Sequence, residues 1–94
     1  MLVLTSLAGG PKHGYAITTD VEEVSGVRLG PGTLYGALSR LEEKGLIEAL
    51  PVDERRRPYR LTGAGAAALE EHLHRIAQVA RSGLHRLRAS EALR

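Results

Sequence analysis

Gly30-Pro31-Gly32-Thr33-Leu34-Tyr35-Gly36-Ala37-Leu38-Ser39-Arg40-Leu41-Glu42-Glu43-Lys44-Gly45-Leu46-Ile47 is the stretch that decides how this chain is read. It predicts a helix with a marked start and a marked stop. Pro31 suits a first turn, where its missing N–H would have no partner in any case. Gly45 stands where a left-handed residue closes a helix. Leu34, Leu38 and Leu41 repeat at i, i+4 and i+7 with Ala37 beside them, which makes one apolar stripe. Off the stripe lie Thr33, Tyr35, Gly36, Ser39 and Arg40, a small polar surface with one cation and one phenol. A helix with such a face fits the major groove of B-DNA, about 12 Å wide.

On the N-terminal side, His13 to Val24 reads as a second helix, with Ile17, Val21 and Val24 at i, i+4 and i+7 and Ser25-Gly26 ending it. Two helices joined by a short Gly-containing turn are the helix-turn-helix signature. The apolar segment Met1 to Ala8 is too short for periodicity to separate helix from strand. Gly9-Gly10-Pro11 after it favours a short buried helix, whose exposed Leu2-Val3-Leu4 would need a partner's cover.

On the C-terminal side, Arg55-Arg56-Arg57-Pro58-Tyr59-Arg60 places four guanidinium groups within six residues. Strand-like runs flank it, Leu46 to Leu50 before and Tyr59 to Thr62 after, with Asp53-Glu54 as turn residues. The pattern is a hairpin with a basic tip; taken alone, the arginines are equally a solvated charge run. The last segment starts near Ala64, with Thr62 as N-cap, and runs to about Arg88. Leu69, Leu73, Ile76, Ala80, Gly83 and Leu87 alternate spacings of four and three, a heptad-like seam with Leu84 beside it. Twenty-five such residues span roughly 37 Å, more than a small domain needs for its own core. The surplus predicts pairing with a second copy through Leu69, Leu73, Ile76, Ala80, Leu84 and Leu87.

Composition bounds the alternatives. Ninety-four residues make one domain. Aromatic content is 3%, all tyrosine, so the core must be aliphatic, which favours helices over a sandwich. Without cysteine there is no disulfide framework, thiolate metal site or cysteine nucleophile. No apolar run approaches the ~20 residues of a membrane span, and Met1 to Ala8 lacks the basic start of a signal peptide. The net charge of +2 is mild, so attraction for a polyanion must come from a local stripe. His72 and His74 diverge on a helix, and Glu70 with His74 supplies only two metal ligands. No nucleophile triad, phosphate loop or dinucleotide fingerprint is present; Gly63-Ala64-Gly65 is too short to be one. The expectation is no enzyme, no metal and no cofactor.

His13-Gly14-Tyr15, Pro31-Gly32-Thr33-Leu34-Tyr35 with Leu38, Arg40-Leu41-Glu42 and Gly45-Leu46-Ile47, and Tyr59-Arg60-Leu61-Thr62 with Ala64-Gly65 follow one another in an order and spacing that resembles the PadR family of bacterial transcriptional regulators. The resemblance covers roughly residues 7 to 75. It implies a mainly α fold with a small β-hairpin wing: a winged helix-turn-helix plus a long C-terminal dimerisation helix, of the family's shorter class. It also implies a homodimer that represses transcription at palindromic operators in the cytoplasm, relieved by a small hydrophobic or phenolic effector, without membrane attachment. The chain departs from the family in Gly30, where Ser or Thr is common, and in a first helix that usually begins upstream of Met1.

The expected division is residues 1–62 as the DNA-binding domain and 63–94 as the dimerisation helix. Thr33 would meet a phosphate at the helix N-terminus. Tyr35, Ser39 and Arg40 would reach bases or backbone, with Arg40 suited to guanine unless it pairs with Glu43 at i+3. Arg55, Arg56 and Arg57 would touch phosphates or the minor groove, and Lys12 would add a phosphate contact. His13 is read as a structural residue near Tyr15. The competing reading is a winged-helix protein-interaction module that does not bind DNA.

Overall fold

The structure, a computed structural model, describes residues 1–92; the last two positions of the expected 63–94 segment lie outside the described residues. The order is α1 (Leu2–Ala8), β1 (Lys12–His13), α2 (Gly14–Ser25), α3 (Pro31–Glu43), β2 (Ile47–Ala49), β3 (Pro58–Leu61) and α4 (Gly63–Ala92). The apolar first segment is a helix that ends at Gly9 and buries Val3, Leu4 and Leu7. Ile17 and Val21 of α2, Leu34 and Leu38 of α3, Ile47 of β2 and Leu69 of α4 complete one aliphatic core. Each such side chain is worth about 1.5–3 kcal/mol when fully buried. Val24 continues the α2 repeat in sequence but lies in the last turn, beyond the core, and is exposed.

The hairpin is present and gains a third strand. β1 pairs antiparallel with β3, which places β3 between β1 and β2. Lys12 lies opposite Tyr59 and His13 opposite Pro58; on the other side Ile47, Glu48 and Ala49 face Leu61, Arg60 and Tyr59. Two residues carry no alternation, so β1 is set by pairing across the fold rather than by local pattern.

α3 closes as its sequence predicts. Gly45 has φ 73°, its N–H donates to the Glu42 carbonyl, and the Leu46 N–H donates to the Leu41 carbonyl at 3.0 Å. This is the Schellman arrangement, which satisfies carbonyls that a helix end leaves free. It turns the chain into β2 and aims the Leu46 carbonyl at the start of α4, where the Thr62 N–H meets it at 3.1 Å. The Thr62 hydroxyl donates to the Gly45 carbonyl at 2.7 Å and accepts from the Gly65 N–H at 3.0 Å, so Thr62 caps α4. Gly65 is pressed against this corner. A Cβ there would lie 1.9 Å from the Leu46 carbonyl oxygen and 2.9 Å from Leu61 Cδ1. Gly65 is therefore a packing requirement of the α4–sheet junction.

α4 then leaves the body. Its 30 residues correspond to about 45 Å, in a molecule measuring 60 × 25 × 20 Å. Of the seam, only Leu69 joins the protomer's own core. Leu73, Ile76, Ala80, Leu84 and Leu87 are exposed, and the neighbouring Val79 is 71% exposed.

Candidate nucleic-acid interface

The packing of Leu34 and Leu38 turns the opposite side of α3 to solvent. Thr33, Tyr35, Ser39 and Arg40 are all exposed there. Gly30 is the N-cap and makes no side-chain cap bond, so the Gly32 and Thr33 amides at the positive end of the helix are left for an anion. Arg40 does not pair with Glu43: among the described residues no carboxylate lies within 4.0 Å of it. Its Nη1 lies 3.5 Å from where a Cβ on Gly36 would stand, so the guanidinium lies back over the bare backbone of Gly36. Lys44, which sequence reasoning passed over, lines a shallow groove together with Thr33 and Arg40.

Tyr35 reaches α2. A Cβ on Gly14 would sit 2.7 Å from the Tyr35 hydroxyl, so the phenol lies directly against residue 14. The residue before it, His13, is the N-cap of α2, and its Nδ1 lies 3.4 Å from the Ala16 amide nitrogen. On the other side of the ring, Nε2 lies 3.0 Å from Arg56 Nη1. Two consecutive residues, His13 and Gly14, thus link the wing to the exposed phenol of α3. The His13 ring nitrogens face Ala16 and Arg56 rather than Tyr15. Tyr15 itself, on the first turn of α2, is 76% exposed.

The wing turn is Asp53-Glu54-Arg55-Arg56, closed by Asp53 N–H to Arg56 O at 2.8 Å and Arg56 N–H to Asp53 O at 2.9 Å. Glu54 and Arg55 have φ of 48° and 67°. Left-handed geometry at both central positions is the two-residue turn that matches strand twist, although Asn-Gly is its usual sequence. The four guanidinium groups have different neighbours. Arg55 stands at the tip with no carboxylate within 4.0 Å among the described residues. Arg56 meets His13, and Arg57 donates to the Leu50 carbonyl at 2.8 Å. Arg60 is bound to its cross-strand neighbour Glu48.

Lys12, expected to add a phosphate contact, has partners within the chain itself. Its ammonium donates to the Ser6 and Gly10 carbonyls, and Asp20 lies 4.0 Å away. It closes the corner after α1, where a helix C-terminus favours a cation.

Tyr59 of β3 stands between the wing and α3. Burial, chiefly, and then Glu42 and Tyr35 push its hydroxyl above the usual tyrosine value, with Arg57 opposing. A folded-state value above the unfolded one means that the native chain holds the proton longer. Stability is then level below about pH 10, the unfolded value, and falls as pH rises past it. Alkaline titration of chemical unfolding should show this fall in the native protein and a smaller one in Tyr59→Phe; equal slopes would remove Tyr59 as the source.

The signature of the transcriptional regulator PadR-like family matches residues 3–71. The chain belongs to this family. Among relatives of the PadR-like chain, the transcriptional regulator Rv3488 of Mycobacterium tuberculosis is 42% identical over 85 residues, 87% of this chain and 78% of that protein. A 37.1 kDa protein in transposon TN4556 of Streptomyces fradiae is 56% identical over 79 residues, 84% of this chain. The chain spans only 23% of that relative's length. A PadR family transcription regulator from Clostridium difficile R20291 superposes with a TM-score of 0.73 at 33% identity, covering 88% of this chain and 94% of that one. The PadR-like chain is thus a transcriptional regulator of a DNA-binding family, not an enzyme. No helix among the described residues is long and apolar enough to cross a membrane.

Proposed function

We propose that this PadR-like protein is a homodimeric, cytoplasmic repressor that reads a palindromic operator. The observation that supports the reading is that the exposed face of α3 and the basic wing adjoin through neighbouring residues, Gly14 against the Tyr35 phenol and His13 beside Arg56 in the free chain. α3 enters the major groove; Thr33 and the amides beside it take a phosphate, and Tyr35, Ser39 and Arg40 reach base edges or backbone. Arg55, Arg56 and Arg57 take phosphates at the flank. Lys12 is left out because its ammonium is committed to the chain's own carbonyls. Leu73, Ile76, Ala80, Leu84 and Leu87 meet a second copy, and two-fold symmetry then calls for a palindrome. A small hydrophobic or phenolic effector would enter the cleft between α1 and α4, lined by Met1, Leu4, Leu69, His72 and Arg75, and shift the two halves.

Titration of fluorescent duplexes selected from random sequence tests this. Arg40→Ala should relax preference at one operator position by about 1–3 kcal/mol; equal weakening on every sequence would reassign Arg40 to the backbone. Arg55→Ala should weaken binding uniformly and reduce the salt slope by about one. An unchanged slope would remove the wing tip from the interface. No salt-dependent duplex binding at all would refute the proposal.

A further inference from the structure

The His13 imidazole faces two donors at once, the Ala16 N–H on Nδ1 at 3.4 Å and Arg56 Nη1 on Nε2 at 3.0 Å. Neither donor can accept. A neutral imidazole has one acceptor nitrogen, its other nitrogen carries hydrogen, and imidazolium has none. The two contacts therefore cannot both be hydrogen bonds in the same instant.

We infer that His13 is a positioning residue for the wing: its tautomer passes one lone pair between the Arg56 guanidinium and the first turn of α2. In the free protein the lone pair is on Nε2, because a charge-assisted bond at 3.0 Å outweighs a neutral N–H···N contact at 3.4 Å. When Arg56 is drawn away, the Nδ1 proton leaves to water and Nε2 takes one from water. The ring stays neutral, and Nδ1 closes on the Ala16 N–H as a full cap. Departure of the wing guanidinium thus tightens the helix that lies against the Tyr35 phenol. The charges around the ring are Lys12 on its own strand and Asp53, Glu54 and Arg56 across the cleft. The first turn of α2, Gly14 to Ile17, has none, and Asp20 in the next turn is near Lys12.

The duplex reading enters only as the agent that draws Arg56 off, so the test has separate arms. Ring nitrogen resonances of His13 are recorded at about pH 8, above the ordinary histidine range. The free native protein should show Nε2 bare and Nδ1 protonated. Arg56→Ala should exchange the two assignments and slow hydrogen exchange at the Ala16 amide. The same tautomer in both proteins overturns the inference. His13→Asn, which keeps a capping oxygen, should hold the Ala16 amide protected whether residue 56 is Arg or Ala; sensitivity to residue 56 in that background overturns it as well. With duplex bound, the native ring should match that of free Arg56→Ala, and a bound complex with the ring unchanged overturns the coupling. Failure to bind any duplex refutes the proposed function and leaves the free-protein comparison to decide the tautomer.

Discussion

Gly65→Ala should destabilise the fold by about 3 kcal/mol, the upper range for forcing an extra carbon into a packed site. The new methyl would fall 1.9 Å from a backbone oxygen, and backbone cannot rotate away as a side-chain tip can. That oxygen, on Leu46, is held by the Thr62 N–H, and Thr62 in turn caps α4. Relief requires α4 to move off the sheet, which opens the Leu69 site in the core. Domains are commonly stable by only 5–15 kcal/mol in the general range, so the loss is large. Urea unfolding followed by far-ultraviolet circular dichroism measures it. Gly63→Ala, two residues earlier in open space, serves as the control and should change little. Equal midpoints for the two variants would show that the junction is not rigid.

The double substitution Ile76→Glu with Leu87→Glu should turn the proposed dimer into a monomer and weaken operator affinity on the order of 100-fold, by removing the second half-site's contribution. Both side chains are exposed in the single chain, Ile76 at 42% and Leu87 at 64%. The protomer's core does not use them, so the fold should persist. Sedimentation equilibrium reads the assembly and circular dichroism the helix content. A dimer that survives both glutamates would place the contact elsewhere.

These variants also mark where the sequence was legible. Periodic leucines and terminal Pro and Gly were enough to bound α3, because those signals are local. The wing and the long last helix followed from turn residues and from a seam longer than one core requires. β1 was hidden because two residues have no period, and its partner lies far along the chain. Gly65 was hidden for the same reason: the atom that demands a glycine belongs to residue 46. The arginine run gave a count of cations but not their commitments. Arg60 is matched to Glu48 only through strand register, and Lys12 to the α1 carbonyls only through a corner of the fold. Arg40 went the other way, since an i+3 pairing open to it in sequence is not formed.

The aliphatic core has an optical consequence. The chain has neither tryptophan nor phenylalanine; Tyr15 and Tyr35 are exposed, and Tyr59 alone is half-buried against the core. Unfolding by denaturant should therefore change ultraviolet emission chiefly through Tyr59, while ellipticity collapses across the whole chain. Two of these fluorophores, Tyr35 and Tyr59, lie on or beside the α3–wing surface, so stacked nucleobases would quench them without any loss of helix. One molecule without added dye thus offers two independent channels, one for integrity and one for engagement.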